Sequence, residues 1–320
     1  MKGEHNRQLG FGDDAVLKRV PDEHFLVQVD RQIAWQPLEA LMSLAYSATG
    51  RASAPPLVCF KMLLLEQWFD LSDPACEAAC RDRLSFMRFL GLGLNDPVPD
   101  ETTLSRFRKR LREMGLDKRL FEEVNRQLEA RRLVIKRGTL IDATIVESAR
   151  KPPMPGAPGG GDREAGFAVQ KRKGVTHGYK FHVAVDQGSE LVRAVQVTPG
   201  QVHDSRVAEQ LIRFDEQAVY ADKAYDDEKR RLLLKHAGIE DGILHKAYRN
   251  RPLSEAHKAR NRVLMRVRAN VERVFADWKC RRSLGRCRYV GLRANQTHGW
   301  LLAMAHNLRR VVAINRLQGA

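Results

Sequence analysis

The chain has 320 residues, of which 43% are hydrophobic and 29% are charged. These proportions exclude an intrinsically disordered chain and are typical of a folded protein with two domains. Lys and Arg (55) outnumber Asp and Glu (39), and the formal net charge is +16. An excess this large indicates a polyanionic partner, most simply nucleic acid, although a basic protein without such a partner remains the alternative.

The sequence shows no sign of export or of membrane insertion. Residues 1–14 are polar and partly acidic, unlike a signal peptide, and the longest apolar runs are too short to span a bilayer. The five cysteines show neither a disulfide framework nor paired metal-ligand spacing. We therefore expect reduced thiols in a cytoplasmic protein that has no membrane partner.

The first 133 residues are predicted to form an all-helical, DNA-binding domain. The apolar segment Leu57–Phe69 follows two prolines, which indicates a buried helix. Shorter helices are predicted over Asp73–Arg81 and Leu84–Leu90, the second ending at Gly91.

Another helix is predicted over residues 102–112, with Asp100 or Thr102 as its cap. Its apolar stripe consists of Leu104, Phe107 and Leu111. The cations that lie off this stripe are Arg106, Lys109, Arg110 and Arg112. The pattern resembles a helix-turn-helix in which this helix contacts DNA, and an ordinary basic surface helix fits it equally well.

Residues 134–320 are predicted to form a second domain of mixed α/β type, because a hairpin group is followed by strands that alternate with helices. The predicted strands are 139–146, 179–185, 191–197 and 217–222, with a hairpin turn at 186–190. The predicted helices are 205–214, 226–236, 253–279 and 294–316, the last two forming a basic C-terminal part. A flexible loop is expected over 151–175, where prolines and glycines precede Lys171, Arg172 and Lys173.

Two acidic residues stand in apolar strands, where a carboxylate is unfavourable. Asp142 lies between Ile141 and Ala143, and Asp222 ends the strand that includes Val219. A single such residue is typical of a turn or a cap. Two of them favour a shared purpose, because Mg²⁺ takes carboxylate oxygens as ligands and a metal pair promotes phosphoryl transfer.

The helix predicted over 253–279 adds a third acid. Arg268, Glu272 and Lys279 fall within about 40° of one another, beside the face that carries Val271 and Trp278. An ordinary ion pair along a solvated helix is the alternative. The surrounding charge counts against it, because residues 246–316 contain 18 Lys and Arg and only three acids.

These residues resemble a known family. Three segments are similar to the acidic motifs of the DDE transposases of bacterial insertion sequences, in the branch of insertion sequence family five: Ile141-Asp142-Ala143-Thr144, Tyr220–Tyr225 and Arg268–Lys279. The third motif of the family reads Tyr-x2-Arg-x3-Glu-x6-Lys, and here Met265 stands at the tyrosine position. The segments Pro199–Ser205, Arg81–Leu92 and Pro99–Thr103 also resemble the family.

The resemblance implies a fold class, an α/β ribonuclease H-like mixed sheet with an N-terminal all-helical domain. It implies that Asp142, Asp222 and Glu272 are catalytic and hold two Mg²⁺ ions, for which Mn²⁺ can substitute. It also implies metal-dependent cleavage at terminal inverted repeats and transfer of the 3′-hydroxyl end into target DNA. The protein would act on double-stranded DNA, as a homodimer or higher oligomer, in the bacterial nucleoid.

The expected DNA contacts are Arg268, Arg273 and Lys279 near the cut, and Arg106, Lys109 and Arg110 in the first domain. His203 and Asp204 could support the metals or orient the attacking water, but a helix cap by Asp204 or Ser205 is the favoured interpretation. Two other functions stay open. One is a non-catalytic DNA-binding regulator, such as a domesticated transposase, and the other is a metal-dependent nuclease without strand transfer.

Overall fold

The structure is a computed structural model that describes residues 1–3, 10–47, 49, 52–153, 160–170, 174–248 and 252–318. The chain divides into two compact units. The first consists of Met1–Arg131 and Trp300–Ala320, and the second of Arg132–Gly299. None of the described helices combines the length and the apolar content that a bilayer crossing requires.

The first unit is helical. Its helices before residue 131 are α1 (Phe11–Leu17), α2 (Phe25–Gln32), α3 (Trp35–Ser43), α4 (Pro56–Phe69), α5 (Asp73–Asp82), α6 (Leu84–Leu90), α7 (Glu101–Glu113) and α8 (Leu116–Ala130). Residues 56–68 of α4 are all buried, as expected for a helix that is apolar on every side. The predicted buried helix is therefore confirmed, and it forms the centre of this unit.

Helix α7 begins where the sequence predicts. Its N-cap is Asp100, whose Oδ1 accepts a hydrogen bond from the backbone N–H of Thr103 at 2.6 Å. The predicted apolar stripe is buried. Arg108 is buried as well, and it donates to the carboxylates of Glu66 (3.0 Å) and Asp73 (2.8 Å). This cation supports the helical unit and is not part of an exposed basic face.

The terminal helix α12 (Leu292–Gln318) crosses the division between the units. Its part from Trp300 onward belongs to the helical unit, because its apolar residues are buried there. Trp68 Nε1 donates to the carbonyl of Ala305 at 2.8 Å, and Asn307 Nδ2 donates to Asn125 Oδ1 at 2.8 Å. We predicted domains of residues 1–133 and 134–320, so the observed division differs in this last segment.

The second unit contains a mixed sheet. The strands are β1 (Thr139–Glu147), β2 (Gly166–Gln170), β3 (Gly174–Asp186), β4 (Val192–Pro199), β5 (Ala218–Ala221) and β6 (Glu240–Ile243). Their order is β2-β3-β1-β5-β6, with β4 also paired to β3. The β1–β3 and β3–β4 pairs are antiparallel, whereas the β1–β5 and β5–β6 pairs are parallel. The predicted mixed α/β arrangement is confirmed.

Helices α9 (Ala208–Leu211), α10 (Glu228–His236) and α11 (Glu255–Arg281) accompany this sheet. One apolar core includes Ile141, Leu211, Val219 and Leu234, from two strands and two helices. On α11, Val271, Val274 and Trp278 are buried as predicted. Burial of this face turns one side of α11 toward β1 and β5, with which it is in contact.

Three predictions of elements need correction. The loop expected over 151–175 contains strand β2, although residues 154–159 and 171–173 of it lie outside the described part. The helix predicted over 205–214 is only a 3₁₀ turn, Asp204–Val207, followed by one turn of α9, because the chain becomes extended at Ile212. Strand β6 was not predicted, since its four residues Glu-Asp-Gly-Ile have low strand propensity.

Candidate active site

Two carboxylates lie on neighbouring parallel strands, Asp142 within β1 and Asp222 directly after β5. Ile141 of β1 pairs with Ala221 of β5, so Asp142 and Asp222 are the next residues in register. Both face one cation on α11. Arg268 Nη2 lies 3.4 Å from Asp142 Oδ2, and its Nη1 lies 3.6 Å from Asp222 Oδ1. The structure thus brings together three residues that are far apart in the sequence.

The ionisation of Asp142 is perturbed. Burial raises the pKa of its carboxyl to about 6, against the opposing effects of Arg268 and of the Ala143 N–H, which donates to Asp142 Oδ1 at 2.8 Å. The negative charges of Asp222 and Asp204 raise this pKa further. One guanidinium therefore neutralises only part of the charge of the two carboxylates, and the pair keeps an excess of negative charge.

This donor set fits a hard divalent cation. Mg²⁺ and Mn²⁺ prefer carboxylate oxygens, and Mg²⁺ is commonly bound by one or two carboxylates together with water and substrate phosphate. Asp142 and Asp222 offer two such carboxylates on adjacent strands, with net negative charge left after Arg268 is counted. Within the described ranges, no group of three or more Asp, Glu, His or Cys side chains is placed to hold a metal ion.

Glu272 does not join the pair in this structure. It lies on α11 one turn beyond Arg268 and is exposed. Glu272 lies only about 40° around the helix from Arg268, yet the longer Arg268 side chain reaches the two aspartates while the Glu272 side chain stays exposed. Repulsion between like charges also disfavours a third carboxylate beside the first two.

A further acid lies near Asp142, and it is held by a lysine. Lys180 of β3 donates through Nζ to Asp204 Oδ1 and to the carbonyl of Val202, both at 2.8 Å. The helix cap that we expected from Asp204 or Ser205 is wrong. His203 provides it instead, since its Nδ1 accepts the backbone N–H of Ser205 at 3.3 Å. Asp204 is thereby left to face Lys180.

Arg230 joins the two turns that follow β4 and β5. This buried side chain of α10 donates to the Ser205 carbonyl at 2.7 Å, to the Tyr225 carbonyl, and to Glu209 Oε1 at 2.8 Å. It therefore fixes the turn that carries Asp204 against the one that begins at Asp222. No sequence pattern singles out Arg230, whereas Lys180, a cation within an apolar strand, could have been found by the argument used for Asp142.

Two buried groups line this region. Tyr225 is 1% exposed, and its hydroxyl has no hydrogen-bond partner in the described part of the chain. Burial raises the pKa of Tyr225 well above its usual value, and the charges of Asp204 and Asp142 add to the effect. His182 is buried, with Nε2 2.9 Å from Thr198 Oγ1, and burial lowers its pKa to about 4.

The other predicted contacts on α11 have different surroundings. Arg273 is exposed and donates to Glu190 Oε1 at 3.0 Å, while Lys279 is half-buried. Met265, at the position of the family tyrosine, is 59% exposed. Its thioether therefore points away from the buried face of the helix.

In the helical unit, the predicted cations of α7 also differ from one another. Arg106 and Lys109 are exposed, and Lys109 lies 3.7 Å from Glu113. Arg110 is half-buried and stacks on Tyr46, 4.6 Å from the ring centroid. Arg106 and Lys109 are therefore more accessible to a polyanion than Arg110.

The sequence matches two families of known proteins. Residues 135–308, more than half of the chain, match the family described as "Transposase DDE domain". Residues 14–110 match the family described as "Transposase domain (DUF772)". Among solved structures, the chain is similar to the piggyBac transposase in a cryo-EM structure of its synaptic complex with hairpin DNA. The identity is 11%, the match covers 93% of this chain and 75% of that chain, and the TM-score is 0.41. This chain therefore belongs to the family of DDE-domain transposases, enzymes that cut and rejoin DNA.

Proposed function

We propose that this transposase cuts DNA at the terminal inverted repeats of its own element and joins the freed 3′-hydroxyl ends to target DNA. The observation that carries the proposal is the pairing of Asp142 and Asp222 around one shared cation, on neighbouring parallel strands. Asp142, Asp222 and Glu272 would hold divalent metal, Mg²⁺ first and Mn²⁺ as a substitute. A ribonuclease H-like topology accords with the observed order of strands.

The chemistry consists of two displacements at phosphorus. In the first, a water oxygen bonds to the scissile phosphorus and the 3′-oxygen of the element leaves with a proton. In the second, that 3′-oxygen attacks a target phosphodiester and displaces the target's own 3′-oxygen. Divalent cations, when bound, supply activation of the attacking oxygen and stabilisation of the leaving oxygen.

The chain's own residues position these groups. Asp204 is held by Lys180 through one carboxylate oxygen, and its second oxygen would accept a hydrogen bond from the attacking water. His203 shapes the turn that carries Asp204. Arg268, Arg273 and Lys279 would hold phosphates beside the cut, and Arg106, Lys109 and Arg110 would hold the element's end.

Glu272 would complete the site through a local change. Its helix α11 is already in contact with β1 and β5, so we expect a side-chain rotation or a small shift of the helix to bring the exposed carboxylate to the pair. The gain from ligating a cation would offset the repulsion that keeps the acids apart without one.

We expect at least a dimer on DNA, because two ends must be cut in concert. Closed twofold assemblies are the commonest solution for such a task. The family match to DNA-cutting enzymes supports the DNA partner. The positive charge of the chain, +16, would make binding strongly dependent on salt.

The test is cleavage of labelled duplex DNA that carries the repeats flanking the coding region, with Mg²⁺ or with EDTA. Wild type is compared with D142N, D222N and E272Q, and with E255Q as a matched control at the exposed start of α11. We expect cutting and joined products from wild type and E255Q only. Binding without cutting in wild type would indicate a regulator, and cutting without joined products would indicate a simple nuclease.

A further inference from the structure

The cation nearest the carboxylate pair belongs to the protein itself. The side chain of Arg268 is 14% exposed, and its two terminal nitrogens lie 3.4 Å from Asp142 and 3.6 Å from Asp222. A guanidinium in this place neutralises part of the charge of both acids. Arg268, which we expected to contact a DNA phosphate, contacts the two carboxylates in the structure.

The contact is looser than that of the buried Arg230. Charge-assisted hydrogen bonds are ordinarily 2.7–2.9 Å long, and Arg230 meets Glu209 at 2.8 Å. The distances at Arg268 are longer, and its Nε is buried without an acceptor among the described residues. The Arg268 side chain is thus held by charge more than by hydrogen-bond geometry. A competing cation can therefore displace its guanidinium from the carboxylates.

A divalent cation bound to both aspartates would compete with Arg268 for the same two carboxylates. Mg²⁺ binds oxygen ligands at about 2.0–2.1 Å, so a metal between the carboxylates would lie close to the guanidinium. Two cations side by side repel each other in a partly buried place. Metal binding would therefore weaken the contacts of Arg268 with the carboxylates, and Arg268 would weaken metal binding.

We infer that Arg268 is the counter-ion of Asp142 and Asp222 in the metal-free transposase, and that divalent cation binding displaces its guanidinium and frees it for a DNA phosphate. This inference rests on the proposed metal site. It gives Arg268 two successive partners, the carboxylates before metal binding and a phosphate afterwards.

The exchange couples metal binding to DNA binding. Without DNA, the metal must break the contacts of Arg268, so its apparent affinity is lowered. When a DNA phosphate binds the freed guanidinium, part of the lost metal affinity is recovered. By linkage, DNA then tightens metal binding and metal tightens DNA binding by the same factor. Such coupling would restrict metal loading to the enzyme that already holds DNA.

The test measures Mn²⁺ binding to the full chain in the absence of DNA, by the electron paramagnetic resonance signal of free Mn²⁺. We expect R268Q to bind Mn²⁺ about fivefold or more tightly than wild type, within the usual range of coupling between sites. R268K should fall between them, because one ammonium cannot span both carboxylates. R266Q, an exposed cation two residues away on the same helix, should match wild type.

Equal or weaker Mn²⁺ binding by R268Q would overturn the inference. Removal of a residue that supports metal binding lowers the Mn²⁺ affinity of the protein, whereas removal of a competitor raises it. If R268Q does not fold, R268K provides the same test, because it keeps a cation beside the carboxylates. Its Mn²⁺ affinity should still exceed that of wild type. D142N and D222N separate this failure from that of the proposed function. If both bind Mn²⁺ as wild type does, the metal site itself is misplaced, and the inference falls with it.

Discussion

Arg230 is the residue through which the geometry of the site can be perturbed without touching a reacting group. It is 4% exposed and joins Ser205 to Tyr225 across two turns. Replacement by Met keeps most of the aliphatic length but removes every donor. We expect R230M to lose stability and to loosen the turn that carries Asp204 relative to the turn at Asp222.

The magnitude follows from the groups left behind. The carbonyls of Ser205 and Tyr225 each lose a charged donor, and an unsatisfied buried carbonyl costs about 1–3 kcal/mol. Glu209 is 48% exposed and returns to water, so its loss adds little. We therefore expect a decrease of about 2–6 kcal/mol in the free energy of unfolding. R230K, with one ammonium in place of a planar fork, should lose about half of that.

Urea unfolding followed by circular dichroism measures this free energy, and Mn²⁺ affinity at low urea measures the geometry of the site. K229M is the matched control, because it removes an exposed cation from the adjacent position of α10. Its expected effect is within about 0.5 kcal/mol. A result for R230M that is indistinguishable from K229M in both measurements would refute the role assigned to Arg230.

Three further predictions concern pH, packing and charge. The pKa of buried His182 is lowered to about 4, so between pH 7 and pH 5 the unfolded chain gains a proton there that the folded chain does not. Unfolding free energy should fall by about 2 kcal/mol more in wild type than in H182Q, and equal losses in urea titrations would contradict this. G178A should lower the thermal midpoint and cost about 2 kcal/mol or more, because its Cβ would overlap the Val146 carbonyl oxygen of the paired strand, and an unchanged midpoint would count against that packing. R106Q should reduce the slope of log affinity against log salt by about 0.9 in DNA-binding anisotropy, whereas an unchanged slope would remove exposed Arg106 from the DNA interface.

Much of the fold follows from pattern alone. The long apolar helix α4, the helix α11 and the strand β1 lie within a few residues of their predicted bounds, because their periodicity extends over many residues. Strands β2 and β6 were missed for the opposite reason. They are four or five residues long, contain glycine, and owe their conformation to pairing with a neighbouring strand.

The site could be predicted in part. The cost of placing a carboxylate in an apolar strand identified Asp142 and Asp222, which the structure joins through Arg268. The helical angle placed Arg268 and Glu272 on one face, and it could not show that the longer side chain reaches the sheet while the shorter one stays exposed. That difference depends on side-chain reach and on the repulsion among acids, neither of which is contained in the spacing.

The positioning residues were the least predictable. Arg230 resembles any other cation of an amphipathic helix until the turns around it are known. Lys180 lies between Tyr179 and Phe181 in a strand that the sequence predicts, and its buried setting was a usable signal. Both residues bind backbone carbonyls that only the fold brings near them.

The most direct measurement is a crystal structure of the protein grown or soaked with Mn²⁺, with anomalous scattering used to locate the ion. The account predicts an anomalous peak ligated by oxygens of both Asp142 and Asp222, with the Arg268 guanidinium no longer between them. A peak bound by neither aspartate, or a guanidinium that still bridges the two carboxylates at saturating Mn²⁺, would contradict it.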